Sequence, residues 1–292
     1  HKGEKILPAG FFITVLATTG VLIVLALLSV FLPVNDLNIA GMTMSVYNLI
    51  SQYILIIGSI VALVFLAVAG NEKRAAAGLT RQNWKSAVLI VLAFVGIYIV
   101  RTVVSVAVQG VSDGSGMQYV KEWAAMFKNP MMWLNIAALP INYFFVFIAF
   151  FGEEYGWRYY LQPVLQKRFG LRAGVIILGV VWGLWHIPDD LFYYTQTSGI
   201  QMIFAQQITC ISLGIFFAYA YMKTQNIWVP VCLHYLNNNL IPIISGTFSA
   251  DVLENQTVSW KDLPVALVLN GLCFGFFLLA DVFKKKEVQE EE

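Results

Sequence analysis

Glu153 and Glu154 stand side by side in the apolar stretch FGEEYGWR, with Arg158 four residues beyond the second of them. Two adjacent carboxylates at membrane depth are costly, so each needs a partner or a task. On a helix Glu154 and Arg158 are i and i+4 in the favourable acid-first order, so Arg158 keeps Glu154 ionised and oriented. Glu153 is turned about 100° away from that pair. It is therefore the carboxylate placed to act as a general base on water. The interior histidines, His186 and His234, also lie in apolar runs, whereas His1 opens the chain. His186 follows Trp182 by four residues, so the indole shares its helical face and holds the imidazole in one rotamer. Gly183 leaves space beside it, and Pro188 ends the helix just above. His234 and Asn238 are again i and i+4, aiming a ring N–H and an amide NH₂ at one point, as a developing oxyanion requires. The competing reading is structural. The acids would then lock helices together, with Arg101 as a counter-ion, while the histidines and Asn237, Asn238 and Asn239 hydrogen-bond between helices.

The elements that must position these residues are membrane helices. Of the 292 residues, 59% are hydrophobic and 12% charged, with a mean hydropathy of +0.71; a soluble domain carries roughly 25% charge. An all-α polytopic membrane protein is expected, forming a single membrane domain over 1–292 with a charged tail at 284–292. Apolar windows of about 20 residues mark eight transmembrane helices, near 10–34, 46–70, 86–109, 138–162, 172–187, 200–222, 227–246 and 262–283. The first run is long enough to span, so it reads as a span rather than a cleaved signal. Segment 117–134, with Tyr119, Trp123, Phe127, Met131 and Trp133 among charges, reads as an interfacial helix. Lys2, Lys5, Lys73, Arg74, Arg81, Lys85, Lys167, Arg168, Arg172, Lys223 and Lys284 to Lys286 fall on one side, against Lys121, Lys128 and Lys261 on the other. Both termini are therefore expected in the cytoplasm. Counting along the helices puts Glu153 and His186 roughly 21 Å, and His234 roughly 16 Å, from the inner face. One shared depth is what an active site needs. The net charge of +1 comes with no basic stripe or aromatic RNA-binding motif, so no nucleic-acid partner is expected. Cys210, Cys232 and Cys273, odd in number and in apolar runs, read as buried thiols rather than a disulfide framework.

The ordered set Glu-Glu-x-x-x-Arg at 153–158, aromatic-x-x-x-His at 182–186 and His-x-x-x-Asn at 234–238 resembles the CPBP intramembrane proteases. These comprise the type II CAAX prenyl endopeptidases and the bacteriocin-processing and self-immunity proteins of the Abi kind. The resemblance covers about 138–245, the expected catalytic core, and Trp182 stands where many relatives have Phe. It implies that Glu153 activates water, His186 holds or shares that water, His234 and Asn238 stabilise the oxyanion, and Glu154 and Arg158 support the site. It further implies an endopeptidase of the bacterial cell membrane, acting on a membrane-associated, prenylated or leader peptide among membrane lipids. A metal-free glutamate mechanism is expected, with no cofactor required. Zn²⁺ held by Glu153, His186 and His234 is the alternative, although no His-Glu-x-x-His pair is present. Two other functions compete: a catalytically silent scaffold or immunity protein that binds a toxin or sensor, and a proton-coupled transporter. The latter lacks any internal repeat or pair of broken spans. Oligomeric state has no signature in the sequence.

Overall fold

The computed structural model describes residues 7–39, 42–112, 114–246 and 255–284. His1 lies outside the described residues, as do Lys2, Lys5, Lys285 and Lys286, which enter the charge argument above. The chain clusters into two compact units, residues 1–80 with 138–153 and residues 81–137 with 154–292. In lipid every backbone polar group must be satisfied within the protein, and long apolar runs answer that demand as helices.

The first unit holds helices α1 (Ala9–Phe31), α2 (Val46–Val68) and the short α3 (Asn71–Ala76). A hairpin of β1 (Leu37–Ile39) and β2 (Met42–Met44) joins the first two, with Leu37 opposite Met44. α1 and α2 approach closely because Gly58 leaves no room for a Cβ against Thr18, nor does Gly10 against Phe65. Phe11 and Phe151 meet edge to face at 4.9 Å. Arg74 closes α2, donating from Nε to Leu66 O at 3.0 Å and from Nη2 to Ala67 O at 2.7 Å. A cation on the last carbonyls suits the helix dipole.

The second unit holds α4 (Trp84–Ser112), α5 (Gln118–Met126), α7 (Gln162–Phe169), α8 (Leu171–Trp185), α9 (Ile187–Phe192), α10 (Gly199–Thr224), α11 (Trp228–Ser245) and α12 (Asp262–Cys273). Its core joins Phe94 and Tyr98 of α4, Trp182 of α8, Phe216 and Phe217 of α10, Leu233 of α11, and Phe274. α8 and α10 touch almost backbone to backbone. A Cβ on Gly179 would sit 2.6 Å from Ile211 Cα, the small-residue contact that membrane helices use to pack. Gly170, at φ 88°, turns α7 into α8.

Among the described residues six helical segments are long and apolar enough to cross a membrane, so the protein is an all-α, multi-pass integral membrane protein. The count of eight is not reached on length and composition. The expected span at 227–246 is the 18-residue α11. That at 262–283 is a 12-residue helix followed by 3₁₀ turns at Gly275–Leu279 and Asp281–Phe283. There the helix breaks at Phe274 (φ −122°), which is wholly buried in the core beside Gly275. The expected short fifth span reaches 22 residues because α9 continues α8 to Phe192. Segment 117–134 divides: α5 stands alone, while Met131 and Trp133 belong to α6 (Pro130–Glu154). Trp123 of α5 donates to Ile244 O at 2.7 Å, which fastens α5 to the end of α11.

Candidate active site

The helix that carries the acids does not stay regular. α6 ends at Glu154, and Tyr155–Leu161 forms a π-helical turn in which Gln162 N–H reaches back five residues to Trp157 O. Pro163 follows at once; it has no N–H for the Tyr159 carbonyl and crowds it, so the ladder changes register just ahead of it. Across this wide turn Arg158 still returns to Glu154, its Nε donating to Oε2 at 2.9 Å. Both side chains are fully buried.

Glu154 is shared. Its other oxygen, Oε1, lies 3.0 Å from His234 Nδ1 on α11. A carboxylate can only accept, so Nδ1 carries the proton and donates it. The Arg158 guanidinium carbon sits 5.3 Å from the Trp182 ring centroid and 5.5 Å from that of Phe217. Aromatic faces thus cover the cation. Removing one member of such a buried pair typically costs about 3–5 kcal/mol, because the survivor is left charged and alone.

Trp182 joins the two histidines. Its ring lies edge-on to His186 at 5.9 Å and to His234 at 5.4 Å. His186 is the residue on which α8 ends, and its Nδ1 lies 2.8 Å from Trp182 O. A carbonyl also only accepts, so Nδ1 carries a proton and donates it, which leaves Nε2 as the nitrogen that faces other partners. Pro188 enters α9 directly afterwards, as the sequence suggests. Gly183 has a definite task, since a Cβ there would fall 2.6 Å from Gln207 Oε1.

Asn238 is exposed on α11, four residues above buried His234. Its Oδ1 accepts from Asn237 Nδ2 at 2.9 Å, and Asn237 Oδ1 accepts from the Tyr98 hydroxyl at 2.5 Å. With its oxygen held, the Asn238 amide presents its NH₂ as a donor. Tyr98 and Asn237 thus position Asn238, a role that sequence reasoning missed: Asn237 read only as an interhelical hydrogen-bonder, and nothing marks Tyr98. Asn239 donates locally, to Tyr235 O at 3.0 Å. Arg101, the counter-ion of the structural reading, donates to Asn270 Oδ1 at 2.8 Å.

The structure thus brings together Glu154, Arg158, Trp182, His186 and His234 from three stretches of chain. Glu153 is half-buried and immediately precedes Glu154, about 3.8 Å away between Cα atoms. As for metal, among the described residues no three His, Cys, Asp or Glu side chains are grouped as an ion would require. No step is routed through a metal. Cys210, Cys232 and Cys273 are thiols, Cys210 wholly buried with Sγ 3.8 Å from His186 Nδ1.

Residues 135–240 match a family described as Type II CAAX prenyl endopeptidase Rce1-like. A curated relative, CAAX prenyl protease 2 of Methanococcus maripaludis, is 27% identical over 125 residues. That match covers 40% of this chain and 45% of the relative, so the chain spans less than half of that protein's length. No solved structure matches. Both matches support the resemblance to the CPBP intramembrane proteases drawn from the three motifs, all of which lie inside 135–240.

Proposed function

We propose that this membrane protein, similar over residues 135–240 to type II CAAX prenyl endopeptidases, hydrolyses a peptide bond in a membrane-associated or lipidated peptide. The observation that carries the reading is His186. A device for locking helices needs only the buried Arg158–Glu154–His234 chain. It has no use for a half-buried imidazole whose tautomer is set by a backbone carbonyl and whose Nε2 is left as an acceptor for water.

In the proposed reaction Glu153 takes a proton from a water that His186 Nε2 orients, and the oxygen attacks the peptide carbonyl carbon. The oxyanion accepts hydrogen bonds from Asn238 Nδ2 and His234 Nε2. Since Nδ1–H of His234 is committed to Glu154, Nε2 donates only when that ring holds both protons; Glu154 then stands between two cations, Arg158 and His234, and the oxyanion itself balances the surplus charge. The proton on Glu153 then passes to the leaving nitrogen as the C–N bond breaks, giving an amine and a carboxylic acid that releases its remaining proton to solvent. Prenylated and leader peptides both fit this chemistry. Both termini face the cytoplasm on this reading, which follows the charge asymmetry.

One second reading has its own observation. The Glu154–His234 bond copies the carboxylate–imidazole pair that sets up a histidine base, so a neutral His234 could itself activate water. The variants Glu153→Gln and Glu154→Gln separate the two. On the proposed reading Glu153→Gln abolishes cleavage with wild-type detergent stability, whereas Glu154→Gln loses stability as well as rate. A Glu153→Gln protein with substantial turnover moves the base to His234.

A further inference from the structure

An apolar groove of about 350 Å³ runs between the start of α4 and the start of α11, lined among others by Arg81, Trp84, Val88, Val91, Trp228 and Cys232. This is the size of a ligand cleft, roughly 300–1,000 Å³. It is a built feature. Asn83 Nδ2 donates to Thr224 O and Asn226 Nδ2 donates to Gln82 O, each at 2.9 Å, clamping the entry of α4 to the entry of α11. Arg81 is the one charged residue of its lining, and among the described residues no carboxylate pairs with it. Exposed Lys85 stands beside Trp84, its Nζ 6.0 Å from the ring centroid. An apolar trough lined by Arg81 and two tryptophans, with Lys85 beside one of them, complements an amphiphile with an anionic head.

We infer that this groove binds the acyl chain of an anionic phospholipid, with the headgroup phosphate on Arg81 and Lys85. Tryptophans of this kind gather at the membrane–water boundary. On the orientation proposed above, that boundary is the cytoplasmic leaflet, where anionic lipids are held by juxtamembrane basic residues. The groove is separate from the candidate active site. Cys232 and His234 are two residues apart on α11, about 200° around the helix, so a lipid here braces the back of the helix whose other face meets Glu154.

The test is native mass spectrometry of the full chain in detergent, titrated with phosphatidylglycerol or with phosphatidylcholine of identical acyl chains. One retained phosphatidylglycerol is expected, bound about fivefold or more tighter than phosphatidylcholine for each cation engaged. Arg81→Gln, at an exposed position, should weaken phosphatidylglycerol about fivefold and leave phosphatidylcholine unchanged. Val88→Trp, which fills the trough, should abolish retention of either lipid while the protein stays monodisperse. Equal binding of the two lipids overturns the inference, as does undiminished phosphatidylglycerol binding by Arg81→Gln. Competitive displacement of the lipid by a farnesylated peptide overturns it too, and assigns the groove to substrate.

Discussion

Asn238 is the exposed member of a relay in which the Tyr98 hydroxyl holds Asn237 and Asn237 holds the Asn238 oxygen. A donor that acts mainly on the transition state changes kcat rather than KM, by roughly 10²–10³ when lost. Asn238→Ala is therefore expected to lower kcat by that order with KM little altered. Tyr98→Phe and Asn237→Ala should lower kcat by less, again without a KM effect, because the amide loses its aim but stays present. Steady-state kinetics on the three variants check this; an effect confined to KM would make Asn238 a substrate-positioning residue. Local spacing made part of this legible. The Glu154–Arg158 bond follows from i, i+4 geometry, and so does the placing of Trp182 against His186. The bond from Glu154 to His234 does not, since 80 residues separate them; only their similar depth along separate spans pointed to it. The Tyr98 hydroxyl gave no sign at all, because a tyrosine in an apolar span reads as core.

Helix α8 carries Trp182 and His186 on one face, and its place is set by glycines. Gly179 meets the backbone of α10 at Ile211, whereas Gly183 meets only the flexible end of Gln207. Gly179→Ala should destabilise the protein by roughly 1–3 kcal/mol, because a packed backbone cannot step aside. Gly183→Ala should cost less, since Gln207 can swing. Thermal unfolding in detergent measures both, and the reverse order would show that α10 yields more readily than its side chain. Glycines in an apolar run signal close packing only in general terms, and the partner helix has to be seen. The π turn at Tyr155–Leu161 was likewise hidden, because its cause, Pro163, is equally compatible with a plain kink. The break at Phe274 escaped as well: hydropathy registers an apolar run and not the 3₁₀ path it takes into the core.

Hydropathy and charge carried the molecule's class, an all-α integral membrane protein; of the eight crossings expected, six meet the length and composition of a span among the described residues, since α11 and α12 are shorter or more polar than the windows implied. Reporter tags at the two ends should both be accessible from the cytoplasmic side; one protected end would mean an odd number of crossings. Dialysis against strong chelators should leave turnover intact if Glu153 and His186 activate the water unaided, while a zinc enzyme would lose activity and regain it with added Zn²⁺. The central claim is that this molecule hydrolyses peptides within the membrane. Its most direct test is to reconstitute the purified chain in vesicles with a library of membrane and prenylated peptides, in water enriched in ¹⁸O. Single cuts are expected, each new carboxyl terminus carrying one ¹⁸O, with none produced by Glu153→Gln vesicles prepared in parallel. Cleavage that persists undiminished in the Glu153→Gln vesicles, or an absence of cuts by the wild-type chain across the library, would contradict the account.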